Sequence, residues 1–262
     1  MAEGSAPAPL PVFSPLLAPS SWQAIDFISD LHLCAALPRT FDAFVSHLRH
    51  TPAQAVFILG DLFEVWVGDD MASLDFERRC VEQLAIAAAQ RSLFFMVGNR
   101  DFLVGPALLR QAAMQGLADP TVLHAFGHPV LLSHGDALCL SDTPYQDFRR
   151  EVRSPAWQAA FLARPLTERL HIATEIRQAS QSRRQFDGAA GAEIDFDEAL
   201  RWMRGAGLQA MVHGHTHRPG SDDLAPGFTR HVLSDWDLDT AAHAEVLRLT
   251  RRGFERRSPD RG

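Results

Sequence analysis

The chain has 262 residues, of which 46% are hydrophobic and 22% are charged. These values suit a globular protein with one sizeable domain, or with a domain that carries a large insertion. The net charge of −7 argues against general nucleic-acid binding, because a phosphate backbone attracts basic surfaces. The 25 Lys and Arg positions are all Arg, so any such side chain that contacts a phosphate is a guanidinium.

Cysteine usage and the chain ends favour a cytoplasmic protein. Cys34, Cys80 and Cys139 are an odd number without CxxC spacing, which argues against a disulfide framework. Residues 1–21 are proline-rich and lack a basic start, which predicts a disordered arm rather than a signal peptide. No apolar run reaches the length of a membrane span. The basic tail, residues 251–262, is interpreted as frayed, or as a segment attracted to anionic lipid headgroups.

The first half of the chain alternates between short apolar runs and segments with helical periodicity. Each apolar run leads into a polar loop, as expected of strands buried on both faces. Strands are predicted over residues 24–28, 55–59 and 93–97, and helices over residues 41–49, 74–90 and 108–114. Gly127-His128 then separates two further strands, residues 122–126 and 130–133, in a hairpin.

The alternation stops after this hairpin. The segments that follow are predicted helices over residues 144–184, a linker over 188–191, a helix over 196–204, and strands over 208–212, 232–234 and 244–249. This order indicates an α/β domain, two-layered or sandwiched, over residues 22–250. A helical insertion is expected over about residues 140–204, before the last motif.

Five loops that follow apolar runs carry residue types that bind metal ions. In open α/β folds, ligands gather where strands end. The five segments are Ser29-Asp30-Leu31-His32, Gly60-Asp61, Gly98-Asn99-Arg100-Asp101, Ser133-His134-Gly135-Asp136 and His213-Gly214-His215-Thr216-His217. The candidate ligands are Asp30, His32, Asp61, Asn99, His134, His215 and His217. Carboxylate, imidazole and amide donors together suit Mn²⁺, Fe²⁺ or Zn²⁺ better than Ca²⁺ or Mg²⁺.

Taken singly, each motif has an ordinary structural explanation, such as a turn-capping Asp or a structural His. The five motifs together make a metal centre the better interpretation. Two ions about 4 Å apart need a bridging carboxylate, for which Asp61 is the candidate. Asp101 is expected to support its loop, and Asp136 to orient His134 or cap a turn. His213 and the seven His residues outside the motifs are interpreted as structural or surface residues.

In this order the motifs resemble the calcineurin-like metallophosphoesterase superfamily, over roughly residues 22–250. The resemblance implies an α/β fold, a four-layer αββα sandwich with a dinuclear metal site, here with a helical cap insertion. It also implies how the ligands divide between the two ions. The first ion would be held by Asp30, His32 and His217, the second by Asn99, His134 and His215, and both by Asp61.

Longer strings, spanning about 190 residues, narrow the resemblance. FISDLHL, ILGDLFEVWVGDD, GNRDFL, SHGDALCLSDTPYQDFR and VHGHTHRP resemble the UDP-2,3-diacylglucosamine pyrophosphohydrolases of lipid A biosynthesis. That family hydrolyses UDP-2,3-diacylglucosamine to UMP and 2,3-diacylglucosamine 1-phosphate (lipid X), usually with Mn²⁺. The resemblance therefore implies two divalent ions and a peripheral position on the cytoplasmic face of the inner membrane. No nucleic-acid partner is expected, and no protein partner can be inferred.

Substrate contacts of that family map onto this chain by motif. The implied substrate-binding residues are Asn99, Arg100, Asp142, Tyr145, Ser180 and His215. The family usually places an Asn and a Lys soon after the Ser, whereas this chain has no Lys, so Arg183 or Arg184 is expected to replace the cationic contact. One apolar set either lines an acyl-chain groove or forms ordinary core: Trp66, Trp157, Phe161, Leu162 and Leu166.

The implied mechanism is attack on the uridine-side phosphorus by a hydroxide formed from water between the two metal ions. Asp61 and Arg100 are the predicted catalytic residues. The superfamily often has His where this chain has Arg100, and such a His protonates an alkoxide leaving group. A sugar 1-phosphate leaves without a proton, so an Arg that pairs with phosphate oxygens fits this position.

Three other functions stay open at this stage. The metal motifs also fit a metallophosphoesterase that acts on another nucleotide diphosphate or phosphodiester, although the cap and the SDTPYQDFR string favour the lipid substrate. A non-catalytic binding scaffold of the same fold is the second alternative, and the complete ligand set argues against it. A nuclease is the third. The acidic net charge argues against a nuclease, despite Arg clusters within residues 149–153 and 183–184.

Overall fold

The elements of the fold come from a computed structural model that describes residues 9–186 and 193–260, without the side chains of residues 179–186. The strands are β1 (Ser14–Leu17), β2 (Ala24–Ile28), β3 (Ala55–Leu59), β4 (Ser92–Met96), β5 (Gln115–Leu117), β6 (Thr121–Ala125), β7 (His128–Ser133), β8 (Ala210–His213), β9 (Gly220–Ala225), β10 (Phe228–Val232), β11 (Val246–Thr250) and β12 (Gly253–Arg257). The α-helices are α1 (Pro38–His50), α2 (Asp75–Ala88), α3 (Pro106–Gln111), α4 (Thr143–Val152), α5 (Pro155–Leu162), α6 (Leu166–Phe186) and α7 (Phe196–Gly205). Within the described residues, no helix combines the length and the apolar character that a membrane crossing requires.

The strands form two six-stranded sheets. The first sheet has the order β1-β6-β7-β8-β10-β9, and the second has the order β12-β11-β2-β3-β4-β5. In the second sheet β2, β3, β4 and β5 run parallel, and α1, α2 and α3 lie in the connections between them. Strands β2 and β3 are buried along their whole length, which explains why AIDFI and AVFIL are almost continuously apolar.

Three apolar clusters separate four layers. Between the sheets, Phe57 stacks on Phe94 with ring centroids 4.4 Å apart, and Leu132 and Val212 close the cluster from the first sheet. Helices α1 and α2 cover the outer face of the second sheet. Helix α7 covers the first sheet, where its Met203 lies fully buried in the third cluster. This arrangement confirms the predicted αββα sandwich.

Both ends of the described chain contain strands that the sequence did not predict. Strand β1 pairs in parallel with β6, so the disordered arm predicted over residues 1–21 is wrong for residues 14–17. Strand β12 forms an antiparallel hairpin with β11, and Arg248 donates to Asp260 Oδ2 at 2.8 Å. The tail predicted to be frayed is therefore anchored as far as residue 260. Short edge strands carry little periodic signal, which explains both errors.

Away from the chain ends, three strands differ from the prediction: β5, β9 and β10. Strands β5 and β9 were not predicted, because both are edge strands and β9 has the largely polar sequence GSDDLA. The strand predicted over residues 232–234 is β10, which ends at Val232. The linker predicted over residues 188–191 lies outside the described residues. The other predicted elements are confirmed, with ends shifted by a few residues.

Helices α4, α5 and α6 form a cap beside the loops of the second sheet. Trp157 stacks on Phe161 at 4.6 Å and lies 6.2 Å from Phe102, in the loop after β4. Arg169 of α6 donates to the carbonyl oxygen of Val67, in the loop after β3. Helix α7 instead packs on the first sheet, so the helical insertion predicted to reach residue 204 ends before α7.

Candidate dinuclear metal centre

The seven candidate ligands lie just beyond the carboxyl ends of five strands. Asp30 and His32 follow β2, Asp61 follows β3, and Asn99 follows β4. The remaining ligands come from the first sheet, where His134 follows β7, and His215 and His217 follow β8. Strands β2, β3 and β4 are mutually parallel, as are β7 and β8, so each sheet presents its loops at one edge.

Asp30, His32 and His217 form the first group, with one donor atom of each within 4.8 Å of the others. The Nε2 atoms of His32 and His217 are 3.3 Å apart, and His217 Nε2 lies 3.4 Å from Asp30 Oδ1. On the opposite side of the His32 ring, Nδ1 lies 3.0 Å from Glu64 Oε2. A carboxylate behind an imidazole fixes the ring so that its other nitrogen faces a metal ion.

Asp61, His134 and His215 form the second group, also within 4.8 Å. His134 Nδ1 donates to the carbonyl oxygen of Leu59 at 2.9 Å, which leaves Nε2 to face the group. That Nε2 lies 3.0 Å from Asn99 Oδ1 and 3.8 Å from Asp61 Oδ2. The structure thus places Asp30, His32 and His217 in one group, and Asp61, Asn99, His134 and His215 in a second.

The hydrogen-bond partners of the two carboxylate oxygens of Asp30 indicate whether the first group suits a cation. Oδ2 accepts hydrogen bonds from Ser29 Oγ at 2.5 Å and from the backbone N–H of His215 at 2.8 Å. Oδ1 is buried and, among the described residues, has no hydrogen-bond donor. A buried carboxylate oxygen without a donor is costly, and a cation in the group would satisfy it. The donor set therefore fits divalent cations.

Five of the seven ligands have a backbone conformation that is unusual for residues with a side chain. The positive φ angles are 53° at Asp30, 48° at His32, 53° at Asp61, 68° at His215 and 53° at His217. Such left-handed residues cost roughly 1–3 kcal/mol each and cluster at functional sites. Their concentration here indicates that the loops are held for ligand placement rather than for stability.

Asp101 holds the loops after β3 and β4 in register. Its carboxylate accepts the N–H groups of Gly98 at 2.8 Å and Leu62 at 2.7 Å, which confirms its predicted supporting role. Gly98 is required by close packing, because a Cβ atom there would overlap the carboxylate of Asp61. Burial, and then the charge of Asp61, raise the pKa of Asp101 to about 7.

The charges of the site favour cation binding. Burial opposes protonation of His134, but Asp61, Asp30 and Asp136 outweigh it and raise its pKa to about 9. Burial likewise opposes protonation of His217, yet Asp235 and Asp30 raise its pKa to about 10. These imidazoles therefore carry protons near neutral pH when no other cation is near. A divalent cation that binds here displaces those protons.

Arg100 and Tyr145, two of the predicted substrate residues, contact residues of the metal groups. The backbone N–H of Arg100 donates to Asp61 Oδ1 at 2.8 Å, and its guanidinium lies 3.9 Å from Glu64 Oε1. The Tyr145 ring stacks near His215, with centroids 6.1 Å apart. Asp142 caps α4 by accepting the N–H of Tyr145 at 3.1 Å. Two predicted contacts fall where α6 side chains lie outside the described residues: Ser180 and Arg184.

Asp136 does not play the role that the sequence suggested. Its Oδ2 accepts from Tyr145 Oη at 2.6 Å and from Arg149 Nε at 2.7 Å, so it secures α4 of the cap rather than the His134 ring. Arg153, which immediately follows α4, donates to the carbonyl oxygen of Gly98 at 2.9 Å. The cap is thereby tied directly to the loop that carries Asn99.

Two supporting carboxylates were not found in the sequence. Glu64 lies behind His32, where it also accepts from Arg177 of α6 at 2.8 Å. Asp235 lies behind His217, with Oδ2 3.5 Å from His217 Nδ1. Glu64 was detectable as an acid in the same loop as Asp61. Asp235 was detectable only as an acid that follows a buried strand.

The fold and the two converging groups define a class of protein. The family model for calcineurin-like phosphoesterases matches residues 24–219, so the chain belongs to that family and is a metal-dependent hydrolase. Among curated relatives, a protein of Xanthomonas oryzae pv. oryzae (strain PXO99A), named UDP-2,3-diacylglucosamine hydrolase, is 42% identical over 235 residues. The alignment covers 85% of this chain and 94% of that relative.

Two further proteins are similar to the chain. A relative in Xanthomonas axonopodis pv. citri (strain 306), also named UDP-2,3-diacylglucosamine hydrolase, is 44% identical over 222 residues, which are 80% of this chain and 90% of that protein. Among solved structures, an archaeal phosphodiesterase superposes with a TM-score of 0.47 at 12% identity. That superposition covers 89% of this chain and 97% of the archaeal one.

Proposed function

We propose that the chain hydrolyses the pyrophosphate bond of UDP-2,3-diacylglucosamine, giving UMP and 2,3-diacylglucosamine 1-phosphate. The observation that carries the proposal is the convergence of seven metal-type ligands beside a helical cap. The relatives above, at 42% and 44% identity, bear the name of that activity. Because the substrate is a membrane lipid, the proposal includes a peripheral position on the cytoplasmic face of the inner membrane.

The proposed cofactor is a pair of Mn²⁺ ions, which suit mixed carboxylate, imidazole and amide donors. Two divalent ions lower the pKa of a water molecule and offset charge on phosphate oxygens. The residues proposed to hold the first ion are Asp30, His32 and His217, those for the second ion are Asn99, His134 and His215, and Asp61 is proposed to contact both.

Arg100 is proposed to bind the pyrophosphate. Its guanidinium lies at the rim of the metal groups and is partly exposed, with Glu64 3.9 Å away as its acidic neighbour. A permanently charged fork that pairs with phosphate oxygens stabilises charge without transferring a proton. This suits attack on the uridine-side phosphorus, because the sugar 1-phosphate leaves as an anion.

The apolar side chains proposed for the acyl chains divide into two sets. Trp66 and Phe161 are buried in the same core cluster, so the structure supports their interpretation as core. Trp157 and Leu166 are only partly buried against that cluster, and Leu162 is exposed. The side chains available to a lipid are therefore those of Trp157, Leu162 and Leu166.

The proposal is tested by incubating the protein with UDP-2,3-diacylglucosamine and Mn²⁺ in ¹⁸O-labelled water. Mass spectrometry of the products is expected to find the label in UMP, because the uridine-side phosphorus takes up the oxygen. Label in the lipid phosphate would overturn the point of attack. Absence of cleavage by a metal-loaded protein would overturn the substrate assignment.

Replacement of Arg100 separates charge pairing from proton donation. Arg100→His is expected to lower kcat/KM by roughly a hundredfold, because loss of a preorganised charge at the reacting phosphate costs about 3 kcal/mol. Arg100→Lys is expected to retain part of the activity, because it keeps the charge but loses the fork. Steady-state kinetics on the lipid substrate measures both. Wild-type activity in Arg100→His would show that the position serves as a proton donor.

Acyl chains on the substrate are expected to be recognised by the cap. A water-soluble UDP-glucosamine without acyl chains is expected to show a kcat/KM at least about tenfold lower, since burial of even two CH₂ groups contributes about 1.6 kcal/mol. A series of acyl lengths, assayed in detergent at fixed surface concentration, measures the dependence. Equal cleavage of the soluble and diacylated substrates would show that the cap does not recognise the acyl chains.

A further inference from the structure

His217 is the most weakly packed imidazole of the metal groups. Its side chain is 40% exposed, whereas that of His134 is fully buried and bonded to a backbone carbonyl. A cavity of about 470 Å³ lies against His217 and is lined by Asp235 and His243. Packing therefore does little to fix the His217 ring, and its orientation depends on hydrogen bonding.

The polar neighbour of His217 Nδ1 is Asp235, and Asp235 in turn contacts His243. Asp235 Oδ2 lies 3.5 Å from His217 Nδ1 and 3.1 Å from His243 Nε2, so one carboxylate oxygen joins two imidazoles. His243 is held in turn by its backbone, which exchanges hydrogen bonds of 2.9 and 2.8 Å with Asp237. The result is a chain of contacts from an anchored loop to the ring of a metal-type ligand.

The segment that carries Asp235 is itself rigidly attached to the site. The backbone N–H of Trp236 donates to the carbonyl oxygen of Asp30 at 3.1 Å. The Trp236 indole is buried, and its Nε1 donates to the carbonyl oxygen of Glu245 at 3.2 Å. The same loop thus fixes the backbone of Asp30 and presents a carboxylate to His217, two members of one metal group.

We propose that Asp235 and His243 are positioning residues for the first metal ion, acting together to hold His217 with Nε2 directed at the ion. Asp235 accepts the Nδ1 proton of His217, and His243 donates to Asp235 and restrains its carboxylate. The inference rests on the proposed metal site, but not on the identity of the substrate. It assigns a positioning role at the metal site to two residues that lie outside every metal motif of the sequence.

The test is calorimetric titration of metal-free protein with Mn²⁺, in the absence of substrate. Asp235→Ala is expected to weaken binding of one ion by about 10–100-fold while the other is retained, as for other carboxylates behind a metal-binding imidazole. His243→Ala is expected to weaken the same ion by about threefold to tenfold, because it acts through Asp235. His243→Gln keeps an N–H donor and is expected to restore most of that loss.

Surface residues of the same types serve as controls. Asp42→Ala on α1 and His124→Ala on β6 replace exposed side chains and are expected to leave both Mn²⁺ affinities unchanged. Circular dichroism of each metal-free variant establishes that the fold is kept, and His243→Gln provides a mild substitution if Asp235→Ala does not fold. Wild-type affinity for both ions in Asp235→Ala, or in His243→Ala, would overturn the proposal. Because substrate is absent, a wrong lipid assignment leaves this result unaffected.

Discussion

Replacing Asp61 by alanine is expected to lower pyrophosphate hydrolysis by roughly a hundredfold to a thousandfold, since metal-ion stabilisation of the transition state contributes several kcal/mol. Asp61 is buried in the second metal group, 3.8 Å from His134 Nε2. Its carbonyl oxygen also accepts the N–H of His32 at 3.0 Å, so its backbone holds a ligand of the first group. Asp61 is proposed above to contact both ions. Losing its carboxylate is therefore expected to reduce the affinity for both ions.

Asp61→Asn separates the charge of this residue from its structural contact. An asparagine amide oxygen can still accept the Arg100 N–H, which Asp61 Oδ1 accepts at 2.8 Å. If charge is what matters, Asp61→Asn is expected to lose activity almost as fully as Asp61→Ala while unfolding at a temperature closer to that of the wild type. Metal content by elemental analysis, kcat/KM and thermal unfolding distinguish the two contributions.

The matched control is Asp42→Ala, an exposed carboxylate on α1. It is expected to retain wild-type turnover and two bound ions, because it touches no residue of the metal groups. An Asp61→Ala protein that binds two ions and hydrolyses substrate at the wild-type rate would show that Asp61 is not part of the metal centre. Loss of activity with both ions retained would instead assign Asp61 to substrate positioning.

The central strands were predictable because their sequences contain the physical signal directly. Strands buried on both faces need apolar residues at every position, and β3, with the sequence AVFIL, was found at its observed bounds. Edge strands have only one covered side, so β9 tolerates two consecutive Asp residues and gives no pattern. The central strands of the sandwich were therefore predictable from the sequence, and the edge strands were not.

The metal ligands could be predicted from the sequence, but the supporting residue Asp235 could not. Each ligand lies within a few residues of a strand end, so local spacing alone marks Asp30 and His32. Asp235 supports His217 only because β10 pairs with β8 and brings its following loop alongside. That neighbourhood depends on sheet order, which a single sequence does not contain. His47, interpreted as structural or surface by default, is a fully buried member of a charged network.

That network surrounds Asp26, in the middle of β2. Both carboxylate oxygens accept from Arg248, with Nε at 2.6 Å and Nη2 at 2.8 Å, and Thr51 Oγ1 donates at 2.5 Å. Asp26, His47 and Asp260 form a third cluster with metal-type spacing. It differs from the metal centre because Arg248 bonds both of its carboxylates and already supplies the positive charge.

The charge state of Asp26 follows from this pairing. Burial raises its pKa, but Arg248, His47 and Thr51 outweigh burial and lower it from 3.8 to about 2. The pKa of Asp26 is lower in the folded protein than in the unfolded chain. The pair therefore stabilises the folded state at pH values above the unfolded-state pKa. That contribution is lost as the pH falls from about 4 to about 2. At neutral pH the carboxylate is charged, buried and dependent on its partner.

Arg248→Met is accordingly expected to lower the free energy of unfolding at pH 7 by about 3–5 kcal/mol, because it leaves the Asp26 carboxylate buried without its main partner. The double variant Asp26→Leu with Arg248→Met is expected to be more stable than the single variant, because no charge is left unpaired. Urea unfolding followed by circular dichroism measures both, with Arg252→Met in the exposed β11–β12 turn as the control. A double variant no more stable than Arg248→Met would show that Asp26 does not depend on this pair, and would shift the role of Arg248 to anchoring Asp260.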